Sequence, residues 1–372
     1  MSAASGEPSL AIATASASAG DAAQAASLQA FAAAVGGDLR EDGYGPAIDF
    51  PGAAPAPLQS FVAPLPDYGL LQASGADALR FLQSQLTNDV SALAVGRWIW
   101  SGYCTPKGRL LSIFAVWRDD DAVRLTVSRP LAAAMRKRLA MYVLRAKVQW
   151  SDRSDELALL GVAGHDAVAL AAAHLGVAAP ANGESAVRDD AHLLGLAPID
   201  ASGTAIARAL IAVPAARVAA LWSALRDAGV AAAPTARWRL TEVRSGVPRI
   251  VPATSEQFVP QALNLDLSGG VSFTKGCYPG QEVVARSHYL GKQKRRMFAA
   301  AGAGNAPAPG SDVVPAAGGE PCGRVAIAAA DGAGGFECLF ESQRAPVDSG
   351  GVATAAGQPL RILALPYPLP AA

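Results

Sequence analysis

The chain has 372 residues, of which 51% are hydrophobic and 17% are charged, and its 31 basic residues balance 31 acidic ones. This length predicts two or three globular domains. The zero net charge argues against strong direct nucleic-acid binding, because phosphate neutralisation dominates the affinity of such interfaces. We find no apolar run of 18 or more residues, so a membrane span is not expected.

The first 66 residues have the composition of a low-complexity extension followed by a linker. Residues 1–37 are rich in Ala, Ser and Gly, and a loose helix can form from Ala22 to Ala34. The stretch from Gly43 to Pro66 is rich in Pro and Gly, which is typical of linkers. We therefore expect little packed structure before Asp67.

Alternating strands and helices begin at Tyr68. Apolar residues from Tyr68 to Ala73 predict a strand, and those from Ala78 to Leu86 recur at helical spacing. Two strand-like runs flank the turn at residues 105–108 and predict a β-hairpin. Further strands and helices follow without the long βαβ spacing or the Gly-rich fingerprint of a dinucleotide-binding fold. The pattern predicts an α+β region, with helices layered on antiparallel sheets, over residues 67–292.

The character of the sequence changes near residue 293. Gly and Pro become frequent, helical periodicity is lost, and short apolar segments appear at Gly323–Ala328 and Gly335–Phe340. This pattern predicts a small C-terminal β-barrel over residues 293–372.

The four cysteines are Cys104, Cys277, Cys322 and Cys338, and none belongs to a CxxC pair. So few cysteines fit a reducing compartment better than a disulfide scaffold. No basic residue precedes Arg40, so neither a signal peptide nor a transit peptide is predicted. We therefore expect a cytoplasmic protein.

The octapeptide Lys275-Gly-Cys-Tyr-Pro-Gly-Gln-Glu282 carries the strongest chemical signal. Its two glycines permit tight turns, and Pro279 suits a first helical turn, with Glu282 near the positive end of the helix dipole. Cys277 would then lie just before a helix and near the Lys275 cation, and both features favour a thiolate. The sequence predicts an accessible Cys277 thiol with a lowered pKa. The alternative is that this cysteine is simply a small buried hydrophobe.

This octapeptide resembles the signature K-G-C-Y-x-G-Q-E of the YgfZ family at every fixed position. Other segments resemble further blocks of the same family, so that the resemblance runs from Asp67 to Leu369; these segments are residues 85–90, 104–109, 258–265, 269–276 and 365–369. The resemblance implies a multidomain fold like that of the glycine-cleavage T-protein, with two α+β subdomains around a central folate site and a C-terminal β-barrel.

The resemblance also implies a function. It implies binding of tetrahydrofolate or a related folate, and support for the assembly or repair of iron–sulfur enzymes through the signature cysteine, Cys277. One client of the family is a radical enzyme that thiomethylates tRNA, so an effect on tRNA would be indirect. The expected partners are iron–sulfur assembly proteins or client iron–sulfur enzymes.

Several residues are assigned to the folate site by this resemblance. Trp238 matches a folate-contacting tryptophan, although plain core packing is an alternative. Tyr68 replaces a second tryptophan and can still stack on a pterin. Arg244 stands where many relatives have glutamate, so either Glu242 compensates or the acidic tail of the ligand meets Arg244. The remaining assigned residues are Lys275, Tyr278, Gln281, Glu282 and Arg286.

The sequence bears on two other functions and on a metal site. The T-protein transfers an aminomethyl group with the help of an aspartate, whereas residues 107–112 here contain no carboxylate, which makes an aminomethyltransferase the weaker alternative. The third possibility is an adaptor in which folate and thiol serve structure only. The histidines lack metal-ligand spacing and a [4Fe–4S] cluster needs four thiolates, so no stably bound metal is predicted.

Overall fold

The computed structural model describes residues 19–52, 58–201, 203–289 and 293–370. The helices in these ranges are α1 Ala19–Val35, α2 Ala78–Gln83, α3 Arg129–Met141, α4 His165–Leu175, α5 Val218–Asp227, α6 Thr235–Ser245, α7 Gln281–Tyr289 and α8 Arg344–Ser349. The strands are β1 Asp38–Asp42, β2 Gly45–Asp49, β3 Phe61–Pro64, β4 Tyr68–Ser74, β5 Trp98–Cys104, β6 Leu110–Arg118, β7 Ala122–Ser128, β8 Gln149–Asp152, β9 Leu157–Ala163, β10 Ser185–Arg188, β11 Ala191–Ala201, β12 Thr204–Pro214, β13 Ala231–Ala232, β14 Arg295–Ala303, β15 Asp312–Pro315, β16 Gly323–Ala330, β17 Gly335–Gln343, β18 Val352–Thr354 and β19 Pro359–Leu363.

Two sheets form the body of the molecule. The five-stranded sheet has the order β5-β6-β7-β4-β8 and is antiparallel throughout. The six-stranded sheet has the order β10-β11-β12-β9-β3-β13, and only its short β13–β3 pair is parallel. Side chains from both sheets and from α6 share one hydrophobic core. Helix α6 therefore lies where the two sheets come together.

The opposite face of the six-stranded sheet carries a second core. Helices α1, α4 and α5 cover it, and their buried residues pack against strand residues such as Val62, Leu160 and Ile211. Phe50 stacks on Trp222 of α5 with ring centroids 5.5 Å apart. Both faces of this sheet are thus buried.

The C-terminal strands close into a barrel with the order β14-β17-β16-β15-β18-β19. Its interior holds Phe298, Phe336, Phe340, Cys322 and Cys338, all buried. The barrel and the mixed helices and antiparallel sheets confirm the predicted α+β class and the predicted C-terminal β-barrel. Within the described ranges, no helix is both long enough and apolar enough to cross a bilayer.

The expectation of little packed structure before Asp67 is wrong for the described part of that region. The predicted loose helix is present as α1, and β1 and β2 form an antiparallel hairpin in which Ile48 is fully buried. Strand β3 lies inside the six-stranded sheet between β9 and β13. The Pro and Gly content of this region is typical of a linker, which is why the elements were not predicted. In addition, a buried strand of four residues such as β3 is too short to show an alternating pattern. Residues 1–18 and 53–57 lie outside the described residues, and the domain boundaries remain a prediction.

Helix α6 was not predicted either. Seven of its eleven residues are buried, and they include charged side chains as well as apolar ones. A helix that is buried on most of its surface shows no apolar stripe, so the periodicity that marks a surface helix is missing.

Candidate functional site

A narrow cavity lies between the two sheets. Its walls include Tyr68 of β4, Trp100 of β5, Arg208 of β12, and Trp238 and Glu242 of α6. The empty volume is about 530 Å³ when open solvent is included, but only about 30 Å³ of it is accessible to a water-sized sphere. Aromatic and aliphatic walls with a few convergent polar groups are typical of sites for small organic ligands.

Trp238 is held rigidly in this wall. Its indole lies over Gly161 of β9, where an added Cβ atom would approach the ring to 2.3 Å, so only glycine leaves room for it. The Arg208 guanidinium lies 5.6 Å from the centroid of the Trp238 ring. Trp238 is only 1% exposed, and its Nε1 atom has no hydrogen-bond partner among the described residues. Because buried donors are normally paired, this one fits an acceptor on a bound ligand.

Glu242 supplies the acceptor side of the same wall. It accepts a hydrogen bond from the Tyr68 hydroxyl and lies 2.9 Å from Arg249 Nε. The Arg249 guanidinium in turn covers the Tyr68 ring at 4.0 Å. Burial raises the pKa of Glu242, and burial raises the pKa of Tyr68 well above its usual value. A carboxylate and a free indole N–H in an aromatic cleft suit a flat heterocycle with both donors and acceptors.

The ion pairs of the wall continue into segments far away in sequence. Asp67 is fully buried, and its Oδ2 atom accepts hydrogen bonds from Arg249 at 2.7 Å and from Arg239 at 3.3 Å. Arg239 also pairs with Asp42 of β1 at 2.9 Å. The cavity wall is therefore tied to the N-terminal hairpin through a chain of alternating charges.

Tyr44 extends this connection to the barrel. The Arg239 guanidinium lies over its ring at 3.8 Å. The Tyr44 hydroxyl donates to the Ala328 carbonyl at 3.1 Å and accepts from the Ala328 N–H at 2.7 Å. Sequence reasoning missed Asp67, Arg239 and Arg249 because no spacing marks them as partners.

Arg244 does not reach the cavity. Its Nε and Nη2 atoms bind the Glu337 carboxylate of the barrel at 2.9 and 2.6 Å. Glu242, by contrast, lines the cavity.

The signature loop, Lys275–Glu282, forms a separate site. Cys277 is exposed. The Lys275 ammonium is buried and donates to the main-chain carbonyls of Gln83 and Leu86, the latter at 2.6 Å. It also lies 5.1 Å from the ring centroid of Tyr278, and burial lowers its pKa to about 8. Lys275 therefore anchors the signature loop at the C-terminal end of α2.

The loop packs against the β5–β6 turn. Gly280 has a φ of +83°, and a Cβ atom there would lie 2.5 Å from the Thr105 carbonyl oxygen. Tyr278 is buried beside Cys104. Gly276 differs, since a Cβ atom there would meet nothing within 4 Å. Of these two glycines, only Gly280 is therefore in close contact with the neighbouring backbone.

The rest of the signature leads into α7. This helix begins at Gln281, two residues after the predicted start at Pro279. Gln281 is half-buried, whereas Glu282 and Arg286 are exposed. None of the described residues that line the cavity belongs to the signature loop or to α7.

Strand β5 connects the two sites. Trp100 of this strand lines the cavity, and Cys104 at its end lies beside Tyr278. Four residues of extended strand span about 13 Å. The predicted residues thus form two groups, with Tyr68, Trp238 and Glu242 in the cavity and Lys275, Cys277 and Tyr278 at the far end of β5.

No family model matches the chain. A search of solved structures finds the glycine cleavage system aminomethyltransferase T from Bartonella henselae, with a TM-score of 0.71 at 16% sequence identity, covering 91% of this chain and 96% of that one. The fold is therefore of the T-protein class, as predicted.

Curated relatives narrow the assignment. The tRNA-modifying protein YgfZ of Sodalis glossinidius (strain morsitans) is 31% identical over 270 residues, covering 72% of this chain and 80% of that protein. The protein of the same name from Escherichia coli (strain K12 / DH10B) is 35% identical over 262 residues, covering 70% and 78%. The chain belongs to the YgfZ family, which confirms the resemblance stated from its motifs.

Proposed function

We propose that this protein is a cytoplasmic folate-binding factor that supports the assembly or repair of iron–sulfur enzymes through Cys277. The observation that carries the proposal is that Cys277 is exposed on a loop anchored by Lys275. This loop lies at the end of β5, and Trp100 of the same strand lines the aromatic cavity. Its partners would be iron–sulfur assembly proteins or client enzymes.

Folate binding is supported by the chemistry of the cavity wall. Trp238 offers a buried indole N–H without a partner, and Glu242 offers carboxylate oxygens beside it. A pterin ring is flat and carries both donors and acceptors, so these residues would hold it by stacking and by hydrogen bonds. Folate would supply the capacity to carry one-carbon groups, and the residues of this chain would orient its ring.

The relatives are named as tRNA-modifying proteins, and for this chain we propose an indirect effect on tRNA through a client enzyme. The balanced charge of the chain supports this, since a tRNA-binding surface would need a basic excess. The aminomethyltransferase alternative is favoured only by the fold, because residues 107–112 lack the carboxylate that the transfer would use.

The test separates the two sites. In cells that lack the native gene, Cys277→Ala should abolish support for iron–sulfur enzyme activity, whereas Thr274→Ala, an exposed position in the same segment, should retain it. By calorimetry, Cys277→Ala should bind tetrahydrofolate within about twofold of the wild type, because Cys277 lies outside the cavity. Trp238→Ala should weaken binding about tenfold or more through loss of stacking.

Three results would count against the proposal. Full support by Cys277→Ala would indicate an adaptor. Tetrahydrofolate-dependent glycine cleavage by the purified protein would indicate an aminomethyltransferase. Absence of tetrahydrofolate binding to the wild type would remove the folate part of the proposal.

A further inference from the structure

The charge balance of the whole chain conceals one strongly basic segment. Residues 122–151 contain seven Arg or Lys residues and no Asp or Glu. Two of the seven are neutralised by carboxylates from outside the segment, since Arg124 pairs with Asp119 and Arg129 with Asp155. The cations near the end of α3 are exposed instead, and they include Arg136, Lys137 and Arg145.

Large apolar side chains are exposed among these cations. Leu144 is 88% exposed, Met141 68% and Tyr142 46%. We call the six residues Arg136, Lys137, Met141, Tyr142, Leu144 and Arg145 the α3 tip. Exposed Met, Tyr and Arg side chains are the types enriched at protein–protein interfaces, whereas a solvated loop would have few large apolar groups.

The α3 tip is held in place by the core. Leu139 is fully buried, and Val143 and Val148 pack against the main core on either side of Leu144. Main-chain hydrogen bonds close the turn after the helix, and Asp77 accepts from the Lys147 N–H at 2.8 Å. Leu144 is thus presented to solvent by anchored neighbours.

The α3 tip adjoins the anchor of the signature loop. Arg138 and Tyr142 lie beside the Tyr103 hydroxyl. Tyr103 forms a bridge with Leu86, and the Leu86 carbonyl accepts the hydrogen bond from Lys275, two residues before Cys277. The α3 tip is thus connected through Tyr103 and Leu86 to the residue that anchors the loop carrying the exposed thiol.

We propose that the α3 tip is the docking surface for a protein partner that presents acidic side chains around an apolar pocket, and that docking there brings the partner to Cys277. This inference rests on the proposed function and names the surface that recognises the client. Charge complementarity defines the partner, because three exposed cations face it without acidic neighbours in the segment. Leu144 and Met141, the most exposed apolar side chains of the α3 tip, would fill the apolar pocket. Because both are aliphatic, only Tyr142 of the tip could stack on a base, which favours a protein partner over a nucleic acid.

The test uses cells that lack the native gene and measures the activity of an iron–sulfur enzyme that depends on it. Leu144→Ser with Met141→Ser, and separately Arg136→Glu with Lys137→Glu, should each lower that activity about tenfold or more. Matched controls are Leu170→Ser, an exposed apolar position on α4, and Arg361→Glu on the barrel. Both controls should support the enzyme like the wild type.

Measurements on the purified variants separate docking from damage to the sites. Both double variants should melt close to the wild-type temperature. Their tetrahydrofolate affinity and their rate of Cys277 alkylation by neutral iodoacetamide should stay within about twofold of the wild type. Full support by the double variants in cells would overturn the inference while leaving the proposed function intact. An enzyme activity that does not depend on the wild-type gene would overturn the proposed function, and this inference with it.

A gel-shift experiment with purified tRNA checks the alternative partner. Binding by the wild type that is lost in Arg136→Glu with Lys137→Glu, but kept in the serine double variant, would assign the surface to nucleic acid and overturn the inference. Absence of a shift for all three proteins is the expected result.

Discussion

The cavity wall and the signature loop are built in opposite ways. The wall depends on buried charges, since Asp67, Arg249 and Glu242 are all buried and paired with one another or with Arg239. The signature loop depends on main-chain geometry, with Lys275 bonded to carbonyls and Gly280 fitted against the β5–β6 turn. One site is closed and ionic, and the other presents its cysteine to solvent.

This difference suits the two tasks that we propose for these sites. A ligand ring in the cavity needs donors and acceptors fixed in a dry place, where each of them acts strongly. A thiol that must meet another protein needs exposure on a backbone that does not move. The comparison predicts that the wall is sensitive to loss of a charge, whereas the loop is sensitive to loss of a glycine.

Removal of the central charge of the wall should have the largest effect. Asp67→Asn keeps the size of the side chain but leaves Arg239 and Arg249 without their shared carboxylate. Breaking a buried ion pair costs about 3–5 kcal/mol, so the free energy of unfolding measured in urea should fall by about that amount.

The matched control is Asp49→Asn, which removes the ion pair between Asp49 and Arg40. The Arg40 side chain is 57% exposed and the Asp49 side chain is 37% exposed. An exposed pair contributes about 0–1 kcal/mol, so this variant should unfold close to the wild type. Equal stabilities of the two variants would show that the wall does not depend on its charges.

Two glycines of the signature loop should differ from each other by a smaller amount. Gly280→Ala meets both a left-handed backbone and the Thr105 carbonyl, so it should lower the free energy of unfolding by about 1–3 kcal/mol. Gly276→Ala meets open space and should change it by less than about 0.5 kcal/mol. Thermal or urea unfolding of the two variants measures this difference, and similar losses would contradict the contact geometry.

Much of the fold and the exposed cysteine could be predicted because they follow from local patterns. The turn at residues 105–108 with its flanking strands, the helix that begins at the end of the octapeptide and the C-terminal barrel all have signals within a few residues. The octapeptide also placed Cys277 before a helix, which the start of α7 at Gln281 supports.

The charge network could not be predicted, because its members meet only in the folded chain. Asp42 and Arg239 are 197 residues apart in sequence, and Asp67 and Arg249 are 182 apart. The N-terminal hairpin was missed for the same reason, since its packing depends on α6 and the barrel. Local composition marks such segments as linker, and only long-range pairing shows that they are structural.

The last expected effect depends on pH and concerns the buried cation of the signature loop. Burial lowers the pKa of Lys275 to about 8, against about 10.4 in an unfolded chain. Between these two values the unfolded chain binds a proton that the folded chain has lost, so stability rises with pH across that window and the contribution is constant below it. The difference in free energy of unfolding between the wild type and Lys275→Met should therefore grow in favour of the wild type from about pH 8 to about pH 10.

Lys147→Met is the matched control, because Lys147 is an exposed lysine and its removal changes the net charge by the same amount. Urea unfolding at intervals between pH 7 and pH 10 gives the slopes. Parallel curves for the wild type and Lys275→Met would mean that Lys275 keeps its ordinary pKa. The ammonium would then be better solvated than its contacts with two carbonyls imply, and the signature loop would have to owe its position to Gly280 and Tyr278 instead.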